Sequence, residues 1–91
     1  MKPGRKLVEQ GARACNDAEI LAILIGSGGA NYSALDCATE LLAKFGTLAG
    51  LMGHPLEELA QVRGVKTARV VRIAAAYELA RRLTEDLYIN T

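Results

Sequence analysis

Residues 59–79 contain a glycine turn between two apolar helical segments, and this arrangement constrains the fold more than any other part of the chain. After the turn, Val70, Ile73 and Tyr77 recur at the spacing of one helical face. Gly64 stands where a chain that reverses between two helices often needs a residue without the steric limits of a Cβ atom. The stretch is therefore predicted to form two helices joined by a tight turn.

The turn is basic, and the second predicted helix begins directly after it. The first backbone N–H groups of a helix have no partner within the helix, and the helix dipole places partial positive charge at the same end. Such a terminus binds phosphate and other anions. Residues 61–82 carry a net charge of +5, whereas the remainder of the chain carries −4. The sequence therefore predicts contacts with a nucleic-acid backbone from Arg63, Gly64, Val65, Lys66, Thr67, Arg69 and Arg72.

The same basic turn has an alternative interpretation, a plain connection between helices with a solvated charged face. Arg69 and Arg72 fit either interpretation, because cations also keep a small helical domain in solution. The Arg81–Arg82 pair near the end of the last helix is more typical of an interaction with the helix dipole than of a binding site.

The rest of the chain contains helix signals and no strand signal. Apolar and polar residues do not alternate, and β-branched residues are scattered. Ninety-one residues suffice for one ordinary core. We therefore expect an all-α, compact bundle of about five helices in residues 1–84, followed by a frayed tail at 85–91. Residues 1–6 are expected to form a loose arm, and helical segments are predicted at 7–14, 17–25, 34–45, 48–52, from Pro55 to about 61, and 67–84.

Capping residues mark several of these helix ends. Asn16 and Glu19 have the spacing of a capping box, and the nearly all-apolar segment that they open is predicted to be the central buried helix. Ser33 and Thr47 are the next predicted N-caps. Gly46 is predicted to end the helix before it.

A short internal repeat relates the basic turn to an earlier one. Leu21 to Gly26 and Leu59 to Gly64 both contain a leucine, an apolar residue three positions on and a glycine two positions further. Each copy is followed by a predicted helix. We therefore expect two helix–turn–helix units packed as a pseudo-pair, one basic and one apolar.

No other part of the chain shows the pattern of a catalytic, metal or nucleotide site. The glycine-rich segment 26–31 lacks the Lys and Ser/Thr of a phosphate-binding loop and is predicted to be a linker. With a single His and no CxxC pair, no metal or cofactor is expected. Cys37 is predicted to be a packed thiol, Cys15 to be partly exposed, and His54 to be a surface turn residue.

The composition also bears on location and partners. No apolar run approaches the roughly 18 residues of a membrane-spanning helix, and the first residues lack an export signal. Two cysteines in such a chain are expected to stay reduced, so a cytoplasmic location is predicted. With three Tyr, one Phe and no Trp, a base-stacking surface for single strands is not expected.

Three separated segments resemble a known family. LVEQGARACNDAEILAILIGSG, ATELLAKFGTLAGL and VRGVKTARVVRIAAAYELARR, in this order, resemble the N-terminal domain of the RadC-like DNA-repair protein family, and the match covers roughly residues 1–83. The resemblance implies the fold of the second domain of RuvA, which contains two helix-hairpin-helix-like units.

Within this match, the basic turn resembles a helix-hairpin-helix motif. The motif has glycine, an aliphatic residue and glycine before a helix, and its hairpin amides hold a phosphate of the nucleic-acid backbone. Gly64 and Val65 match the first two positions, Lys66 replaces the second glycine, and Val70 stands where a small residue is usual.

The resemblance implies a domain of a DNA-repair protein. Together with the basic cluster at residues 61–82, it leads us to expect an accessory domain that binds the backbone of duplex or branched DNA weakly and without sequence preference. In the family this domain precedes a C-terminal JAB/MPN-type, metallopeptidase-like domain, which binds zinc through an H-x-H…Asp pattern. The chain lacks that pattern, so we expect an isolated N-terminal half without enzymatic activity. The alternative function is a protein-interaction or scaffolding domain that serves the C-terminal domain.

Overall fold

Six α-helices and one 3₁₀ turn make up the part of the chain that the computed structural model describes, residues 2–26 and 33–88. No strand occurs in these residues, so the predicted all-α class is confirmed. Apart from Gly26, the predicted glycine-rich linker lies outside them. The elements are α1 (Pro3–Gln10), the 3₁₀ turn (Ala12–Ala14), α2 (Asp17–Ile25), α3 (Ala34–Phe45), α4 (Leu48–Met52), α5 (Leu56–Leu59) and α6 (Thr67–Tyr88).

The predicted helix caps are confirmed. The Glu19 N–H donates to Asn16 Oδ1 at 2.8 Å, and the Asn16 N–H donates to the Glu19 carboxylate at 2.9 Å, which completes the capping box of α2. Ser33 and Thr47 accept backbone N–H groups in the same way at the starts of α3 and α4. Gly46 ends α3 with a φ of 86°, a conformation that favours glycine.

The start of the chain differs from the prediction. Residues 3–6 belong to α1 rather than to a loose arm, because α1 begins at Pro3, whose fixed φ suits the first turn of a helix. The single helix predicted at 7–14 is divided at Gly11 into the end of α1 and the 3₁₀ turn. Lys6 Nζ lies 3.0 Å from the Glu19 carboxylate, and this ion pair joins α1 to the first turn of α2.

The core lies where α2 packs against α3 and α6. α4 packs against α3 and α6, and α5 packs against α6. Each of these helices contributes apolar side chains, and the turn before α6 adds two valines. The buried apolar residues are Leu21, Ala22, Ile25, Cys37, Ala38, Leu41, Leu51, Leu59, Val62, Val65, Val70 and Ile73.

Two predictions about buried faces need correction. α2 is not buried all round, because Ile20, Ile23 and Leu24 are each 37% exposed. On α3, the spacing of Leu35, Ala38, Leu41, Leu42 and Phe45 predicts one buried face, but Leu35 is 41% exposed near the start of the helix. A chain of this size covers only one side of such helices, since its core is small.

The last helix continues to Tyr88, four residues beyond its predicted end. Ion pairs one turn apart stabilise this part of α6, because Glu78 accepts hydrogen bonds from Arg81 and Arg82, and Arg81 also donates to Glu85. The hydrogen bonds from Arg81, and then those from Arg82, lower the pKa of Glu78 to about 2. Within the described ranges, no helix combines the length and apolar character needed to cross a membrane.

Replacing Asn16 with Ala is expected to lower the free energy of unfolding by about 1 kcal/mol, because the Glu19 N–H loses its acceptor. Urea unfolding followed by circular dichroism measures this change. Asn16→Asp retains a carboxylate acceptor and serves as the control, with a stability close to wild type. An Ala variant as stable as the Asp variant would show that the capping box contributes nothing.

Candidate nucleic-acid interface

The basic turn between α5 and α6 is a closed hairpin. Its Val65 N–H donates to Val62 O at 3.0 Å, and the Val65 side chain is buried in the core. Gly64 adopts a φ of 85°, which confirms the predicted need for a residue without a Cβ atom. Thus Val65 anchors the hairpin from inside, and its amide is engaged within the turn.

The outward side of the hairpin is basic. Arg63, Lys66 and Thr67 are exposed and lie within five residues of one another, around the start of α6. α6 has 22 residues, so the aligned peptide dipoles of a long helix end here. The structure therefore brings three of the predicted contact residues together at a helix N-terminus, next to the backbone of Gly64.

Arg69 lies inside the domain. Its side chain is 1% exposed, Nη1 donates to Gly64 O at 3.2 Å, and Nη2 donates to Gly26 O at 2.8 Å. The expectation that Arg69 reaches a phosphate at the surface needs correction, because its guanidinium group is buried between two turns of the backbone. The physical reason is its position on α6, four residues before Ile73, on the side that faces the core.

Arg72 is exposed in part, but its guanidinium group also turns toward α2. Arg72 Nη1 donates to Ile25 O at 2.6 Å. A Cβ atom added to Gly26, which has a φ of 60°, would lie 3.0 Å from the same nitrogen. Arg72 therefore binds the carbonyl end of α2, where the helix leaves acceptors without partners and carries partial negative charge.

These contacts connect the two copies of the internal repeat. Gly26 and Gly64, the equivalent glycines of the two copies, both have positive φ and both follow a short helix with a buried leucine. The Arg69 guanidinium donates to the carbonyl groups of both glycines. The two turns are thus joined through a single side chain.

Two further residues that the sequence singled out, Cys37 and His54, are at least partly enclosed by the domain. Cys37 is fully buried, as predicted, and burial raises the pKa of its thiol, while the nearby Arg69 guanidinium opposes part of that rise. His54 is more enclosed than expected of a surface turn residue, because its ring centroid lies 4.3 Å from that of Phe45. In the described part of the chain, no three His, Cys, Asp or Glu side chains are grouped so that they could hold a metal ion.

Comparison with known proteins identifies the family of the chain. A family model described as UPF0758 N-terminal matches residues 1–71. The chain belongs to the UPF0758 family. It is similar to a UPF0758 protein of Cupriavidus taiwanensis, with 47% identity over 87 residues, and to one of Cupriavidus necator, with 45% identity over 91 residues. The predicted resemblance to the RadC-like family is confirmed.

The match covers nearly all of this chain but a minor part of its relatives. It spans 94% of the chain and 38% of the C. taiwanensis protein, and 99% of the chain and 40% of the C. necator protein. The chain therefore corresponds to about two fifths of the length of these UPF0758 relatives. No solved structure matches it.

The carbonyl acceptors at the end of α2 in this UPF0758 domain were not predicted from the sequence. Ile25 and Gly26 accept hydrogen bonds from arginines more than forty positions away in the chain. One signal was present, since Arg69 is four residues before Ile73 and therefore on the apolar side of the predicted helix. The repeat also indicated that the two glycine turns are equivalent.

Arg69→Met is expected to lower the free energy of unfolding by about 1–3 kcal/mol, since it removes the donor from two partly buried carbonyl groups. The matched variant Arg72→Met should cost less, because Arg72 is an exposed residue with one hydrogen bond to α2, whereas Arg69 is buried. Urea unfolding of both variants measures the difference. If Arg69→Met were as stable as wild type, desolvation of the guanidinium would cost as much as its hydrogen bonds contribute.

Proposed function

We propose that this UPF0758 N-terminal domain is an accessory domain of a RadC-like DNA-repair protein and binds the DNA backbone weakly, without sequence preference. The observation that supports this best is the exposed corner at residues 63–67. It combines a glycine turn with positive φ, two exposed cations and the N-terminus of a 22-residue helix. Backbone amides and cations at a helix start are a recurrent site for phosphate groups.

The proposed contact set is smaller than the sequence pattern indicates. Arg63, Gly64, Lys66 and Thr67 are placed to approach a phosphate, whereas the amide of Val65 is engaged in the turn. Fewer contacts mean that fewer counterions are released on binding. We therefore expect affinities at the weak end of the non-specific range, with dissociation constants of about 10⁻⁴ M at physiological salt.

Buried Arg69 and partly exposed Arg72 still contribute to the proposed site through their charge. Arg69 and Arg72 donate to carbonyl oxygens, which have partial rather than formal negative charge. Their positive charges therefore add to the potential at the corner, even though their guanidinium groups do not reach a ligand. Such a local field attracts a polyanion and raises its rate of association.

The test is a titration of fluorescent duplex DNA at low salt with the double variant Arg63→Glu, Lys66→Glu. We expect at least about tenfold weaker binding on every duplex sequence, and a salt dependence whose slope falls by about one for each phosphate that the variant no longer neutralises. The matched control is Arg13→Glu with Lys44→Glu, which changes the net charge equally at exposed positions on the 3₁₀ turn and α3.

The control distinguishes a localised site from general attraction. Wild-type affinity in the control, together with weak binding by the hairpin variant, supports the proposed corner. Equal loss in the two variants would mean that only net charge matters. If neither variant differed from wild type, the hairpin would not be a DNA site.

A second candidate function, an interaction domain for the C-terminal part of the protein, is favoured by the apolar side chains that α6 leaves exposed, among them Leu79 and Leu83. Such a domain would hold the metallopeptidase-like part that the family resemblance implies. Mixing the chain with the separately expressed C-terminal region of the C. necator relative tests this function. Co-elution in size-exclusion chromatography is expected if the two parts bind each other, and separate elution would contradict the function.

A further inference from the structure

The second half of α6 has one apolar side that continues the core face of the helix. Ile73 is buried, and Ala76, Ala80, Leu83 and Leu87 follow it at alternating spacings of three and four residues. This is the spacing by which one helix packs along another. Unlike Ile73, Leu83 is 52% exposed. We call the last four of these residues, together with the neighbouring Leu79, the α6 stripe.

The opposite side of the same segment is fully charged. Glu78, Arg81, Arg82 and Glu85 form a connected set of ion pairs along it. This set fixes which side of α6 faces water, because the charged groups satisfy one another along the helix surface. A helix with one polar and one apolar side normally buries the apolar side against another element. The α6 stripe is therefore a surface that is suited to a partner.

A groove extends this apolar surface toward α4 and α5. It has a volume of about 330 Å³, and Met52, Leu56, Ile73 and Tyr77 are among the residues that line it. Leu56 and Tyr77 are both about half exposed. Since Ile73 lines the groove and the α6 stripe continues the face of Ile73, the groove and the stripe can receive the same apolar partner.

The length of the relatives indicates which partner this is. The family model describes an N-terminal region, and the matched part is only 36–40% of the relatives' length. The remaining residues of such a chain follow α6. They are covalently attached near the stripe, so their effective concentration there is in the millimolar range for a short flexible connection. At such a concentration, weak apolar contacts suffice to hold the following region against the stripe.

A second copy of the domain is a poorer candidate for the same surface. Residues 76–88 form a segment roughly 20 Å long. A stable interface between separate proteins buries about 1,200–2,000 Å² in total. One short helical stripe, without a tether, does not supply an area of that size.

We propose that, in a full-length UPF0758 chain, the α6 stripe and the adjoining groove pack against the region that follows the N-terminal domain. This proposal rests on the second candidate function above and identifies the surface that performs it. The contact is apolar, with Leu83 at its centre, and the charged side of α6 stays in water. The domain thus holds the rest of the chain through the far end of the helix whose start forms the basic corner.

Cysteine labelling tests the surface directly. Leu83→Cys is introduced, in a Cys15→Ser background, into the 91-residue chain and into a hybrid in which this chain replaces the N-terminal region of the C. necator relative. The matched control is Arg82→Cys, on the charged side, where the native side chain is 71% exposed. A maleimide probe is used, and mass spectrometry of the α6 peptide measures the rate of labelling at each position.

In the short chain we expect similar labelling rates for the two cysteines. In the hybrid, Leu83→Cys should react at least tenfold more slowly, while Arg82→Cys keeps its rate. Buried Cys37 should remain unlabelled in every sample, which monitors folding. Leu79→Cys is a second probe of the same stripe and should be protected in the same samples.

Equal rates for Leu83→Cys in the short chain and the hybrid would overturn the proposal. If the separated parts nevertheless co-eluted, the interaction function would stand and only the surface would be wrong. If they also eluted separately, both would fail. Protection of Leu83→Cys that rises with the concentration of the short chain alone would assign the stripe to a second copy and overturn the proposal as well.

Discussion

The fold depends on one guanidinium group that lies between two turns of the backbone. Arg69 is almost completely buried and donates to the carbonyl oxygens of Gly64 and Gly26, which are 38 residues apart in the chain. Moving a guanidinium out of water is costly unless several good acceptors receive it. Hydrogen bonds from a charged donor are stronger than neutral ones, so two carbonyl groups offset part of that cost. Only the native arrangement brings both glycine turns to the same side chain, and the contact therefore favours this packing over others.

The same contact explains why the basic character of residues 61–82 does not translate directly into a basic surface. Two of the arginines nearest to the hairpin, Arg69 and Arg72, bind the carbonyl end of α2. An α-helix ends in carbonyl groups without partners, and a nearby cation satisfies them and the negative end of the dipole together. The hairpin keeps Arg63 and Lys66 at its surface. The cations that bind the end of α2 thus differ from those at the surface of the hairpin, and charge counts along a sequence do not separate the two groups.

Helix caps and turns could be predicted from the sequence, whereas burial and contacts between distant segments could be predicted only in part. The caps at Asn16, Ser33 and Thr47 and the turn at Gly64 depend on neighbours within a few residues, so short patterns indicate them. The exposed aliphatic side chains of α2 could not be predicted in that way, because their burial depends on how many helices a chain of this size can place around it. The acceptors of Arg69 belong to another part of the chain, and periodicity along α6 indicates only that its side chain faces inward.

The geometry of α6 separates the two proposed surfaces of the domain. Its 22 residues span about 33 Å, with the basic corner at the first turn and the α6 stripe in the second half of the helix. Ile73 and Val70 attach the middle of the helix to the core, so the two ends are held in a fixed relation. A phosphate contact near Lys66 and an apolar contact at Leu83 would therefore act at distances well beyond the Debye length of about 8 Å at physiological salt. Each surface can therefore be altered with little electrostatic effect on the other, and a segment docked on the α6 stripe would leave the basic corner exposed.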